Sequence, residues 1–399
     1  VVKPSRLTAL NFGAQTVWGA LLAVSLQERV LSITGGVNAT QTYALLASGG
    51  ALVATLVQIV AGISADRRRA AVGHRMEYFV AGSALSVPAL VLFYQAPSIV
   101  LLAGAYAVIE IGMNVVMAPL QAVVPDYVPA GERGRASGWL SGYGSFGGTM
   151  GLLIAGFVHP PMATAGCLCA VLVATAAITI AHVRTLEPLP PESGAIAWRG
   201  PLAVLLISRG TINIGFYVVI GFLIFFVRES LGIEQPAALR TNTALLFIAF
   251  ATAAMAGAAL AGRPADRIDK RLVVTVCGLA LTAGFVIMAF VTTLGAAYLA
   301  MALAGLAWGG FIVADWALAF TLLPRGSMAT ALSIWNVANT IPQVIAPLIA
   351  APIVAYADGI LYGLGPRFTI ALCSVTVVAG VALIWRLPGP RPLESRASA

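Results

Sequence analysis

Long apolar runs, broken at near-regular intervals by short clusters of charge, proline and glycine, follow one another from end to end of the chain. A bilayer core of about 30 Å requires roughly 20 apolar residues of helix. Runs of that size predict twelve spans, each closed by charges, Pro or Gly. In the first half they are 7–27, 41–63, 76–95, 98–124, 136–158 and 163–183. In the second half they are 201–227, 242–261, 272–291, 296–323, 329–355 and 366–385. An even number of spans puts both tails on one side.

The basic residues say which side. Eighteen Lys and Arg lie in the even-numbered gaps and the tails, among them Lys3, Arg6, Arg67, Arg68, Arg69, Arg133 and Lys270. Four lie in the odd-numbered gaps: Arg29, Arg228, Arg240 and Arg367. By the positive-inside rule both tails are expected in the cytoplasm. The Pro-rich stretch 184–200 is the one gap of linker composition, so the expected organisation is a bundle over 1–183, a cytoplasmic linker and a second bundle over 201–399. No cleavable leader is expected, because the first apolar run is long enough to be a span itself.

Composition narrows the classes. The 399 residues are 59% hydrophobic and 10% charged, against about 25% charged in soluble domains, so a water-soluble enzyme has too few charges to cover itself. The net charge of +8 sits in short gaps and not on a stripe or face, which argues against nucleic acid as a partner. Cys167, Cys169, Cys277 and Cys373 all fall inside apolar runs without metal-ligand spacing and read as packing residues. His74, His159 and His182 lie in or near gaps with no nucleophile or metal set around them, so neither enzyme chemistry nor a cofactor is expected. No Walker-type phosphate loop occurs.

The two halves repeat. GISADRRRAAVGHR runs from Gly62, and GRPADRIDKR runs from Gly262. Gly62, Ala65, Asp66 and Arg67 return 200 positions later as Gly262, Ala265, Asp266 and Arg267. Two six-span halves in the same orientation are parallel repeats. The Gly-x-x-x-Asp-Arg cluster between spans 2 and 3, and again between spans 8 and 9, resembles the signature loop of the major facilitator superfamily, and the resemblance covers the whole chain. The stretches from Asn114 to Trp139 and from Ala314 to Ala350 look like the sucrose-transporter-like and glycoside–pentoside–hexuronide-like cation symporters. Span 1 departs from that branch in lacking an acidic residue, and Gly73-His74-Arg75 replaces a more usual Gly-Arg-Arg. The resemblance implies an all-α membrane protein of twelve transmembrane helices in two pseudo-symmetric six-helix bundles. It also implies that helices 1, 4, 7 and 10 line a central cavity, and it gives Asp66, Arg67, Asp266 and Arg267 a gating role.

Charges inside hydrocarbon are costly and mark functional candidates. Three are buried by hydropathy: Glu110 in span 4, Arg209 in span 7 and Asp315 in span 10. At 1.5 Å per residue, Arg209 and Asp315 each lie roughly 12 Å from the cytoplasmic helix ends and Glu110 roughly 20 Å. Matching depths permit a salt bridge between Arg209 and Asp315. Glu110 has no obvious basic partner at its depth, and a lone carboxylate there is cheapest in its neutral form, which makes it the better proton carrier, with Asp315 the competitor.

Polar stripes accompany these charges. Tyr106, Glu110, Asn114 and Gln121 share a face of span 4, and Arg209, Asn213 and Tyr217 a face of span 7. Span 1 offers Asn11, Gln15 and Trp18, and span 11 offers Trp335, Asn336, Asn339 and Gln343. Amides and rings in a cavity suit a hydroxylated or amphipathic solute, although buried amides also serve as interhelical glue. The Gly-rich GYGSFGGTMG of span 5 partly resembles the motif of drug–proton antiporters without its central Pro, and close helix packing is the preferred of the two readings. The expected function is a monomeric secondary transporter of the cell membrane, moving a sugar, glycoside or similar small polar solute with a proton or Na⁺. An efflux antiporter for amphipathic compounds and a non-transporting receptor or assembly factor on the same fold are the competing expectations.

Overall fold

The computed structural model describes residues 2–72, 74–129, 132–189, 200–322 and 328–387, and every regular element among them is helical. Twelve long helices follow the hydrophobic runs. They are α1 (Ala9–Thr34), α2 (Ala39–Val72), α3 (Met76–Gln95), α4 (Ile99–Gln121), α5 (Arg133–Phe157) and α6 (Pro161–Val183). The second half supplies α7 (Gly200–Ser230), α8 (Pro236–Arg267), α9 (Lys270–Phe290), α10 (Leu294–Leu322), α11 (Met328–Asp358) and α12 (Leu364–Ile384).

Eleven of the twelve are long and apolar enough to cross a bilayer. The exception is α5, whose 25 residues are diluted by the glycines and serines of its first half. Those glycines are where α5 meets α1. A Cβ on Gly147 would lie 2.4 Å from the Phe12 carbonyl oxygen, one on Gly151 2.1 Å from that of Thr16, and one on Gly19 2.3 Å from that of Gly148. Small residues let two backbones touch, which replaces the hydrophobic drive that lipid removes. The Gly-rich motif is therefore a packing seam, as one of its two expected readings had it.

Helix ends follow local rules. Gly35, at φ +63°, terminates α1 in the left-handed conformation that glycine adopts without strain. Ser98 caps α4 through Leu101 N–H at 3.3 Å, and Asp269 caps α9 through Arg271 N–H at 3.0 Å. Several helices overrun the expected spans: α2 and α8 continue past 63 and 261 into the basic loops, because the signature sequences themselves are helical. Span 4 is shorter than expected, since α4 stops at Gln121 and a separate turn of helix covers Val123–Tyr127.

The chain forms two compact units. The first comprises Val1–Glu192 together with Ile220–Ile248 and Gln343–Pro366. The second comprises Ser193–Val219, Ala249–Pro342 and Arg367–Ala399. Within the first unit, the ends of α7, α8 and α11 farthest from the chain tails are locked onto α1–α6. Tyr43 of α2 packs edge-on against Phe222 at 5.6 Å, Arg240 donates to the His159 carbonyl at 2.9 Å, and Ser48 donates to that of Val344 at 2.7 Å.

Candidate functional site

In α4 the carboxyl of Glu110 is 2% exposed and shares its face with residues one turn away on either side. Asn114 Nδ2 donates to the Glu110 carbonyl at 2.9 Å and to its Oε2 at 3.3 Å. The Tyr106 phenol lies beside the same carboxyl from the preceding turn. Gly50 of α2 makes room for that tyrosine, because a Cβ there would sit 2.3 Å from the ring. Among the described residues no Lys or Arg pairs with Glu110.

In the second unit, Arg209 of α7 forms a buried ion pair with Asp315 of α10. The guanidinium carbon lies 4.4 Å from the centre of the Trp335 ring and 5.8 Å from that of Trp316, so two indoles of α10 and α11 enclose the pair. Farther along α7, Asn213 donates to the Ala338 carbonyl at 2.9 Å and the Tyr217 hydroxyl to Asn339 Oδ1 at 2.9 Å. The structure thus gathers Arg209, Asn213, Tyr217, Asp315 and Asn339 on three helices, with Asn336 half-buried beside Trp335.

Of the span 1 candidates, Asn11 donates to the Leu140 carbonyl of α5 at 2.7 Å. It also lines a cavity of about 190 Å³ with Met117, Leu120, Gln121, Leu140, Ser141 and Gly144. Gln15 lies against Gly147 on the α1–α5 seam, and Trp18 is half-buried one turn on.

The loop charges form a network that sequence reading only partly anticipates. Asp66 pairs with Arg75 at 2.9 Å, and Arg75 Nε reaches Asp126 at 3.1 Å. Arg69 closes on the other side of Asp126 at 2.5 Å and also donates to the Leu189 carbonyl at 2.7 Å. Leu189 N–H returns a bond to the Asp126 backbone oxygen at 2.7 Å. Burial pushes the Asp126 carboxyl up to about 6 even though Arg75 and Arg69 pull it down. Arg67 is exposed, and the side chains of Asp266 and Arg267, like linker residues 190–199, lie outside the described residues.

Asp126 is the functional candidate that sequence reading misses. Its signal was an acid placed between Pro125 and Tyr127 directly after an apolar run, with Arg75 counted only as a topological charge. Among the described residues no three His, Cys, Asp or Glu side chains come together to hold a metal ion.

Twelve membrane-length helices with charges sealed inside them, and a signature loop built into a salt-bridge network, define a polytopic membrane protein of the transporter type. The chain belongs to the Major Facilitator Superfamily, whose family model matches residues 7–347. No curated protein sequence matches it. Among solved structures it is similar to the nucleoside transporter NupG, with a TM-score of 0.74 at 12% identity over 97% of this chain and 99% of that one. A D-xylose–proton symporter gives 0.73 at 13% identity, covering 96% of each chain. A bacterial homolog of the human lysosomal transporter Spinster, in an inward-facing and occupied conformation, gives 0.69 at 15% identity over 96% and 94%. These likenesses show the twelve-helix fold of two pseudo-symmetric bundles.

Proposed function

We propose that this chain is a secondary transporter that moves a small polar solute across the cell membrane by alternating access, coupled to proton symport. The halves 1–183 and 201–399 act as the two rocking bodies, joined by the linker 184–200, with both tails cytoplasmic. One observation carries the reading: Glu110 is sealed inside an apolar helix and, among the described residues, has only a phenol and an amide beside its carboxyl. A structural carboxylate would be expected to have a cation. A carrier of protons needs partners that tolerate both its charged and its neutral form.

The similar structures include a proton symporter of a sugar and a nucleoside transporter, which supports a hydroxylated solute here. Asn11, Gln15, Trp18, Tyr106, Asn114, Arg209, Asn213, Tyr217, Asn336 and Asn339 are the residues proposed to meet it. The Asp66–Arg75–Asp126–Arg69 network is proposed to bias the two-state equilibrium from the tail side, because it ties the end of α2 to the start of α3 and to the turn after α4. The chain is proposed to act as a monomer without a cofactor.

The test is uptake of sugars, glycosides and nucleosides into proteoliposomes under an imposed pH gradient. Accumulation should collapse when the gradient is discharged. Accumulation that follows a Na⁺ gradient instead would replace the proton with Na⁺. Loss of preloaded amphipathic compounds in exchange for protons, with no uptake of any polar solute, would turn the reading into efflux.

A further inference from the structure

Arg209 has five N–H donors, and Asp315 engages it through NH1. Among the described residues its Nε–H is buried without a hydrogen-bond partner, and so is the indole N–H of Trp335. The guanidinium carbon lies over the Trp335 ring, 4.4 Å from its centre, so the two side chains are in contact. Arg209 is 7% exposed and Trp335 2%. Native folds rarely leave even one buried donor unmatched, and inside apolar helices no lipid group can serve it. Two such donors, on side chains in contact, call for an acceptor.

We propose that the Nε edge of Arg209 and the indole N–H of Trp335 form a receptor for a carboxylate, so that the transported solute is an acid. This rests on the transport reading above and names its solute class. Both orphan groups donate and neither accepts, which matches an acceptor-only group better than a hydroxyl, whose own proton would need a home. Arginine takes a carboxylate side-on with geometric specificity, and Asp315 holds the guanidinium from its other end. Trp316, with its ring centre 5.8 Å from the guanidinium carbon, adds an apolar wall that strengthens any charge-assisted bond formed there.

Charge conservation agrees with this assignment. Arg209 and Asp315 sum to zero, so the empty carrier with Glu110 ionised holds one negative charge among its three intramembrane groups. A carboxylate arriving with one proton on Glu110 leaves that total unchanged. Symport of the acid with one proton is then electroneutral.

The test uses the purified full-length chain in lipid nanodiscs and matched pairs: gluconate with glucose, glucuronate with its methyl ester, lactate with lactamide, benzoate with benzamide. Thermal shift should show at least one acid raising Tm where its neutral partner does not. Trp335→Phe should weaken that acid about tenfold in Kd, and Arg209→Lys should remove the preference for the acid. Equal response to acid and neutral partner, response to neutral members alone, or no response to any acid overturns the proposal. So does a Trp335→Phe protein with unchanged affinity for the acid. The wild-type comparison needs no variant and decides the matter even if the substitutions fail to fold. Uptake of an acid that ignores the pH gradient, yet is lost in Arg209→Lys, would sink proton symport and leave the carboxylate receptor standing. Proton-driven uptake of neutral solutes alone would do the reverse.

Discussion

Glu110 and Asp315 sit on pseudo-equivalent helices, α4 and α10, and both are almost wholly buried, at 2% and 1% exposed. Their surroundings are opposite. Asp315 faces a guanidinium walled by two indoles. Glu110 faces a phenol and an amide. A carboxylate beside a fixed cation is held in one charge state, because neutralising it would strand the cation in a low dielectric. A carboxylate among neutral donors can gain or lose a proton without stranding anything. Burial alone therefore does not mark a proton carrier; the chemistry of the partner does.

The sharpest way to break this comparison is to remove the charge from Asp315. Asp315→Asn leaves Arg209 uncompensated and should cost about 3–5 kcal/mol, seen as poor expression and a large fall in Tm in detergent. Replacing both members, Arg209→Met with Asp315→Leu, should recover most of that stability while abolishing solute recognition. If the single variant is as stable as the parent, the pair is not the structural element that its burial implies.

The next largest effect belongs to the other carboxylate. Glu110→Gln keeps shape and hydrogen bonding, so Tm should barely move. Accumulation driven by a pH gradient should vanish, while exchange between equal concentrations of labelled and unlabelled solute continues. If instead Asp315→Asn gives that uncoupled phenotype and Glu110→Gln unfolds the protein, the two roles are reversed.

Asp126 is a third case, a half-way house with two guanidinium partners at the membrane edge. Its folded pKa of about 6 exceeds the model-peptide value of 3.8. Its own contribution to stability is therefore full below about pH 3.8 and declines as pH climbs through 6. The ion pairs need the opposite form, so the latch to Arg69 and Arg75 engages above pH 6 and loosens below it. Hydrogen exchange at the Leu189 amide, which bonds the Asp126 backbone oxygen, should speed up as pH falls through 6, after correction for the intrinsic rate. In Asp126→Asn that excess acceleration should disappear.

Where the chain could be read in advance, the physics was local. Eleven helices declare themselves because an apolar run of membrane length has few other fates, and the tight α1–α5 seam is foreshadowed by GYGSFGGTMG. The Arg209–Asp315 pair was legible too, since two lone charges at equal depth have little choice of partner. What could not be read depends on long-range packing. Arg69 at the end of α2 and Arg75 just before α3 meet Asp126 in the turn beyond α4, and no periodicity in α4 announces it. Nor does hydropathy reveal that the far ends of α7, α8 and α11 join the first compact unit through contacts such as Tyr43 on Phe222 and Arg240 on the His159 carbonyl. The network at Leu189 had no local signal because a backbone amide carries none.

The smallest effect sharpens the comparison at the level of two asparagines that sequence reading treated alike. Asn114 and Asn213 are both buried, at 6% and 1% exposed, and each lies one turn beyond its helix's intramembrane charge. Asn213 spends its amide on the Ala338 carbonyl of α11, which makes it glue between α7 and α11. Asn114 directs its amide to Glu110, both backbone and carboxyl, within a single helix. Membrane hydrogen bonds between helices average about 0.6 kcal/mol, so Asn213→Ala should lower Tm slightly and leave the number of protons moved per solute unchanged. Asn114→Ala removes no hydrogen bond between helices among the described residues and should leave Tm nearly where it was. It should instead degrade coupling, because the carboxyl loses one of the two groups that fix its orientation. Measuring Tm and the proton-to-solute ratio on both variants separates the roles. Equal loss of coupling in the two would mean that the amides act through helix packing alone, and the contrast between the Glu110 and Asp315 surroundings would then lose its functional meaning.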